Sequence, residues 1–309
     1  MARVSIGLPV WNGEAFLTQA LDSIRAQTFE DFELVIADNA STDSTPDIIA
    51  DYARRDPRIR AFRHKENLGA AGNFNFVFHK STAPYFRWAA YDDMIAPGYL
   101  AACVKALDDD DGSAALAFPQ TLMIDCNAKP LRVYDAVTRK SDESPSARLD
   151  GMIGPGDHLK SYLHMCFPVF GLMRRSALEG TSLIANMPRS DHLLLVELCL
   201  KGRFIEVPQP LFLRREHDSG SVISAEKAAT SGEDLEKLLA AWFDPNKKGR
   251  FPATATRLGL GYFRAAARTP MPLGEKLACM RIAGGWLARH WRVIGGECKI
   301  LLRERMKPA

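Results

Sequence analysis

No run of 18 or more apolar residues in this 309-residue sequence is free of charge, so no segment reads as a membrane-spanning helix. No secretory signal precedes the first apolar run at Val4, and the expectation is a cytoplasmic protein. The six cysteines (Cys103, Cys126, Cys166, Cys199, Cys279 and Cys298) form no close pair. That spacing indicates neither a zinc knuckle nor a redox dithiol, and it fits buried thiols in a reducing compartment. A glycine-rich phosphate loop is also missing after the first strand, where Pro9-Val10-Trp11-Asn12 stands instead. This argues against a nucleotidyltransferase and against a dinucleotide oxidoreductase, because Gly259-Leu260-Gly261 comes too late and lacks the third glycine.

What is present is an alternation of apolar runs and amphipathic segments. Val4 to Pro9 reads as a buried strand, and the turn Trp11-Asn12-Gly13 leads into a helix with Phe16, Leu17, Ala20, Leu21 and Ile24 on one face. Phe32 to Ala37 is the next strand. Ser44-Thr45-Pro46-Asp47 then starts a helix, with a hydroxyl cap, proline in the first turn and an acid facing the dipole. Strands at Ile59 to Phe62 and Tyr85 to Ala89, a helix over Asn73 to Phe78 and another opened by Pro97 continue the pattern. Such alternation predicts an α/β fold with a mostly parallel central sheet flanked by helices. The length leaves room for one large domain and an appendage, and a 47% hydrophobic fraction is ordinary for a chain with a real core.

Two carboxylate signals stand where apolar runs end: Asp38, in Val35-Ile36-Ala37-Asp38-Asn39, and the pair Asp92-Asp93 after Trp88-Ala89-Ala90-Tyr91. Each should lie at the carboxyl end of a strand, the edge where open α/β sheets bind ligands. One acid there can hydrogen-bond a nucleobase or ribose, and an adjacent pair can hold a divalent cation against a diphosphate. By contrast, Asp108 to Asp111 ends a helix before Gly112 and reads as solvated loop.

The block Leu8-Pro9-Val10-Trp11-Asn12-Gly13-Glu14, followed by Leu21 to Thr28, Asp38 to Asp43, Asn67-Leu68-Gly69-Ala70-Ala71 and Asp92-Asp93, resembles family 2 glycosyltransferases. The resemblance is dense over residues 1–100 and thinner to residue 220. It implies the GT-A nucleotide-diphospho-sugar transferase fold. The expected division is 1–100 for the nucleotide-sugar-binding half, 101–220 for the acceptor half and 221–309 for a helical C-terminal extension. It also implies an inverting transfer from a UDP-sugar to a hydroxyl of a glycan or lipid-linked acceptor, with Mn²⁺ or Mg²⁺ as cofactor. Pro9, Trp11, Asn12 and Glu14 would line the nucleotide pocket with Asp38, Asn67, Gly69 and Asp92. Asp92 and Asp93 would serve the metal, joined by His217 as in some relatives; the alternative for His217 is an exposed loop residue or an acceptor contact. Asp191, in Ser190-Asp191-His192, would be the catalytic base, or otherwise a helix cap.

There are departures from the family pattern. Ala90 stands where many relatives carry the first acid of the metal motif, and Phe74-Asn75 stands where many carry Arg-Asn. A non-catalytic relative that binds a sugar nucleotide or glycan is the alternative reading. Downstream, Phe204 to Val207 and Leu211 to Leu213 read as a strand pair, and Val169 to Met173 as a strand following His164-Met165. The polar stretch Lys129 to Pro155 is the expected loop over the acceptor site.

Charge is uneven. Residues 246–309 carry 14 Lys and Arg against 3 acids, or +11, which leaves −8 on the rest of a chain of net charge +3. Aromatic and aliphatic residues interleave with these cations, a pattern that suits an anionic membrane surface, the inner face in a cytoplasmic setting. No nucleic-acid recognition motif accompanies the charge.

Overall fold

The computed structural model describes residues 2–134, 144–155, 166–217 and 234–306. His164, Met165 and residues 135–143 lie outside the described residues; the rest of the stretch expected as a loop over the acceptor site holds a strand, Pro130–Val133, and a helix, Pro145–Ile153, because its apolar residues Leu149, Met152 and Ile153 are buried in the core.

The first half follows the predicted alternation. Strands β1 (Val4–Val10), β2 (Phe32–Asp38), β3 (Ile59–Arg63) and β4 (Tyr85–Trp88) are joined by helices α1 (Leu17–Arg25), α2 (Thr45–Arg55) and α3 (Gly69–Lys80). All pairings among these strands are parallel, in the order β3-β2-β1-β4. Every residue of β1 is buried, as a strand covered by helices on both faces requires. Helix α2 does start at Thr45, but the Ser44 hydroxyl does not cap it. Asp43 Oδ1 instead accepts the Thr45 N–H at 3.0 Å, while Ser44 Oγ donates to Glu14 at 2.8 Å.

Beyond β4 the sheet becomes mixed. β5 (Met94–Ile95), helix α4 (Tyr99–Asp108), β6 (Ala114–Ile124), β7 (Pro130–Val133), helix α5 (Pro145–Ile153), β8 (Leu172–Arg174), the short helix α6 (Arg175–Leu178), helix α7 (Ser190–Lys201) and β9 (Arg203–Arg215) follow. β8 is antiparallel to both β4 and β6, β9 runs parallel to β6, and β5 pairs antiparallel with the end of β9. The predicted strand over Val169 to Met173 is a 3₁₀ turn, Phe167–Phe170, followed by β8. At Gly171 an added Cβ would crowd the carbonyls of Ala117 and Pro168, so glycine permits this backbone approach. The expected strand pair is one strand, β9, whose register against β6 shifts around Pro119 to Thr121. Asp110 is not solvated: its side chain is 1% exposed and binds the guanidiniums of Arg174 and Arg203.

Four helices close the described chain: α8 (Leu235–Phe243), α9 (Thr254–Arg268), α10 (Leu273–Arg289) and α11 (Trp291–Met306). Leu258, Tyr262, Ala266, Cys279 and Ala283 from α9 and α10 share one core cluster with Val35, Phe86 and Leu194. Carboxylates from this region satisfy helix N-termini elsewhere. Glu297 accepts the N–H groups of Ala255 and Thr256 at the start of α9, and Glu275 accepts that of Ser146 in α5. Cys103, Cys166, Cys199 and Cys279 are buried free thiols, whereas Cys126 and Cys298 are exposed.

Candidate active site

The ends of three strands align at the carboxyl edge, where Val10 pairs with Asp38 and Asp38 with Arg63. Asp38 is 1% exposed, and its Oδ1 accepts the Ser41 N–H at 2.9 Å. Its Oδ2 faces Arg63 Nε at 3.1 Å as an ion pair yet accepts no hydrogen bond, leaving a buried acceptor open at the edge. Trp11, just past β1, is 46% exposed and offers an aromatic face there. Pro9 is buried within β1.

The other expected nucleotide contacts shape the surrounding loops. Asn12, at φ 49°, donates its N–H to Ser41 Oγ and accepts the Thr42 N–H on Oδ1, both at 2.9 Å. Glu14 Oε2 accepts the N–H and hydroxyl of Ser44. Asn67 Oδ1 accepts from Asn39 Nδ2 and from the Gly69 N–H, each at 2.8 Å. Gly69 has φ +75°, and a Cβ there would run into the Phe243 carbonyl, so this loop is held by the end of α8.

Asp92 and Asp93 follow β4 past the same edge. The antiparallel register of β5 on β9, Met94 opposite Leu213, sets Arg214 to His217 against them. His217 Nε2 lies 3.0 Å from Asp92 Oδ2, and its ring packs 4.7 Å from that of Phe16. Burial pushes the Asp92 carboxyl up, but the His217 hydrogen bond and the Arg214 charge outweigh it and hold it below its ordinary value. Asp93 is turned the other way: its Oδ1 accepts from Arg214 Nη1 at 3.1 Å and from the Arg215 N–H at 2.9 Å. Burial raises the Asp93 carboxyl to about 6, against the opposing pull of Arg214.

Arg215 is a clamp that sequence reasoning did not find. Only 1% exposed, it donates to the carbonyls of Asp92 and Cys126 and to Gln19 Oε1, at 2.7–2.8 Å, and lies over the Phe16 ring. Two adjacent arginines at a strand end carried no signal to separate a buried clamp from a phosphate contact; only pairing with β5 decides it.

Asp92 and His217 could both ligate Mn²⁺, since a carboxylate oxygen and an imidazole nitrogen converge within 3.0 Å, whereas Mg²⁺, which takes oxygen ligands, would draw on Asp92. Asp93, also expected to serve the metal, has its Oδ1 engaged by the two arginines, so a metal contact from it would use Oδ2. Among the described residues no three of His, Cys, Asp and Glu gather into a metal cluster; substrate phosphates and water are the further ligands such an ion ordinarily takes.

A second cluster surrounds Asp191 in the first turn of α7, after Arg189 at φ 59°. Asp191 Oδ1 accepts the His192 N–H at 2.8 Å. Burial raises its carboxyl, opposed by that N–H, by the Cys166 thiol and by Arg189. Behind it, Tyr262 of α9 meets His192 Nδ1 through its hydroxyl at 2.8 Å. Tyr262 was legible only as one aromatic in an amphipathic helix.

Known proteins resemble this chain in sequence and in fold. Residues 5–181, more than half of the chain, match the family model described as glycosyl transferase family 2; Asp191 and His217 lie beyond that segment. An uncharacterised glycosyltransferase of Rickettsia felis is 32% identical over 131 residues, 42% of this chain and 21% of its own length. One from Rickettsia typhi is 28% identical over 163 residues, 53% of this chain and 48% of the relative. This chain thus spans less than half the length of these two glycosyltransferases. An uncharacterised protein of Mycobacterium bovis is 35% identical over 252 residues, 79% of this chain and 68% of the relative. In three dimensions the chain resembles S. aureus TarS solved with UDP, at TM-score 0.57 and 15% identity over 94% of this chain and 72% of that one. It also resembles a mannosyltransferase of Pyrobaculum calidifontis solved with GDP-Man and Mn²⁺, at TM-score 0.52 and 18% identity over 96% and 84%. At these identities the structural likeness establishes the fold alone, and that fold is GT-A. The chain belongs to glycosyl transferase family 2.

Proposed function

We propose that this protein is an inverting glycosyltransferase that moves a sugar from a UDP-sugar to a hydroxyl of a glycan or lipid-linked acceptor in cell-surface polysaccharide synthesis. The observation that carries the proposal is the pairing of Asp92 with His217 at the sheet edge that also bears the open acceptor of Asp38. Asp38 Oδ2 would accept a hydrogen bond from uracil or ribose, with Trp11 stacking on the base. Asp92 and His217 would hold Mn²⁺ or Mg²⁺, which when bound supplies Lewis-acid stabilisation of the departing diphosphate. Arg214, fixed beside Asp93, adds positive charge on the same side.

Asp191 would take the proton from the acceptor hydroxyl as that oxygen attacks the anomeric carbon and the nucleoside diphosphate leaves from the opposite face. Its raised carboxyl supports this role, because a base poised nearer neutrality is more effective. The TarS and mannosyltransferase complexes with UDP and with GDP-Man and Mn²⁺ lend support to a metal-assisted nucleotide-sugar donor.

The proposed setting is the cytoplasmic surface of an anionic membrane. Among the described residues no helix is long and apolar enough to cross one. Helices α10 and α11 nevertheless expose Leu273, Leu277, Trp291, Val293 and Leu302 near Arg281, Arg292 and Arg303, as an interfacial helix does.

Thermal denaturation against UDP, GDP and dTDP, each with Mn²⁺ and with EDTA, tests the donor reading. UDP should stabilise in Mn²⁺ alone, and Asp92→Ala should abolish that shift. An unchanged shift in Asp92→Ala removes this residue from the metal site, a GDP-selective shift overturns the choice of base, and metal-dependent binding without transfer favours a non-catalytic relative.

A further inference from the structure

One charged cluster has no role in the proposed chemistry. Lys247 Nζ and Arg257 Nη1 both donate to the carbonyl oxygen of Asn186, each at 3.0 Å, which draws two cations together. Arg250 adds a third, its N–H donating to the Lys247 carbonyl at 3.0 Å in the same turn; burial, then Arg257 and Arg250, lower the Lys247 ammonium against the pull of Asp244. Burial also lowers Arg257.

Among the described residues the one acid paired with this charge is Asp244, whose Oδ2 lies 3.8 Å from Lys247 Nζ and already accepts from Asn186 Nδ2 at 2.7 Å. Among the described residues neither Arg250 nor Arg257 forms a salt bridge. Crowding like charges in partly buried positions is unfavourable unless an anion relieves it. Guanidinium and ammonium groups drawn to one place are the donors that recognise phosphate oxygens.

The segment after α8 that carries Lys247 also packs on Gly69 of the expected nucleotide loop, so both donor and acceptor phosphates come into question. Asn186 leads directly into α7, which carries Asp191, while the donor edge has its own cation in Arg214 beside Asp93. We propose that Lys247, Arg250 and Arg257 form an anion site that binds a phosphate group of the acceptor beside the helix bearing Asp191. This rests on the glycosyltransferase reading and narrows its acceptor to a phosphate-bearing molecule.

The test is calorimetric titration of inorganic phosphate and of glycerol 3-phosphate into the full chain, with and without saturating UDP and Mn²⁺, with glycerol as the neutral control. Both phosphates should bind in the presence of UDP, glycerol should not, and added salt should weaken binding. Arg257→Gln should weaken phosphate binding about tenfold, the loss of one charge-assisted contact, while UDP affinity stays unchanged. Arg250 is exposed and its side chain touches no partner among the described residues, so Arg250→Gln keeps the fold; it should weaken phosphate about threefold. Phosphate affinity equal to wild type in both variants overturns the proposal. Displacement of phosphate by UDP also overturns it, by assigning the cluster to the donor diphosphate. Failure of the wild type to bind UDP strikes the donor reading instead, and the phosphate titration without UDP still decides this site.

Discussion

The cap alternative for Asp191 gives way to a first-turn helix charge, since Arg189 occupies the cap position, and replacing Asp191 with Asn separates that role from a catalytic base. The substitution keeps Oδ1, which accepts the His192 N–H at 2.8 Å, and removes the charge that burial disfavours. Loss of a general base lowers turnover by about 10²–10⁴, equivalent to about 3–5 kcal/mol of barrier. UDP affinity should not change, because the nucleotide contacts assigned here lie at the Asp38 and Asp92 edge.

Stability moves in the opposite sense. The folded state holds the Asp191 proton more tightly than the unfolded chain, whose carboxyl has its ordinary value of 3.8. This group's contribution is therefore fully favourable below 3.8 and is lost as the pH rises through the raised folded value. At neutral pH the Asn variant should unfold at the same or a higher denaturant concentration than wild type, and the acid limb of the pH–rate profile should disappear from its residual activity. If Asp191 served only as a first-turn charge, Asn would instead cost about 0.3–1 kcal/mol of stability and leave transfer intact. Wild-type transfer by Asp191→Asn, measured with UDP-sugar and acceptor, refutes the base assignment.

Two further predictions concern the frame of the site. Gly69→Ala places a methyl group against the Phe243 carbonyl at positive φ and should destabilise by about 1–3 kcal/mol in chemical denaturation; a neutral result would mean that α8 does not pack on this loop. Arg215→Met leaves the carbonyls of Asp92 and Cys126 and the Gln19 amide without their donor. It should cost about 3 kcal/mol and weaken metal-dependent UDP binding, both read from melting curves with and without Mn²⁺. Unaltered UDP stabilisation would show that the Asp92 turn holds its shape without the clamp.

Much of the first half was legible because its signals are local. A parallel strand covered on both faces must be a short apolar run; the one beginning at Phe32 ends on Asp38, and the one beginning at Val4 runs to Val10, just before the Trp11-Asn12-Gly13 turn. Asp38 and Asp92 followed from that rule. Signals that depend on partners were misread. Pro208 and Pro210 broke the apolar pattern of β9 into two strands, yet the sheet absorbs the interruption as a register shift against β6. Asp110 looked like one acid in a solvated run until Arg174 and Arg203, distant in sequence, closed over it.

By itself the sequence determined the α/β alternation, the acidic strand ends and the basic character of residues 246–309, since backbone propensity, burial pattern and charge are properties of short segments. Only the tertiary structure decided which acid meets which base. The β5–β9 pairing brings His217 to Asp92 across 125 residues, turns Asp93 toward Arg214 and buries Arg215 beneath both. Packing of α9 on α7 sets Tyr262 against His192, beside Asp191. Such contacts depend on strand register and helix packing, which no local pattern encodes, and they turn separate acids and cations into a site.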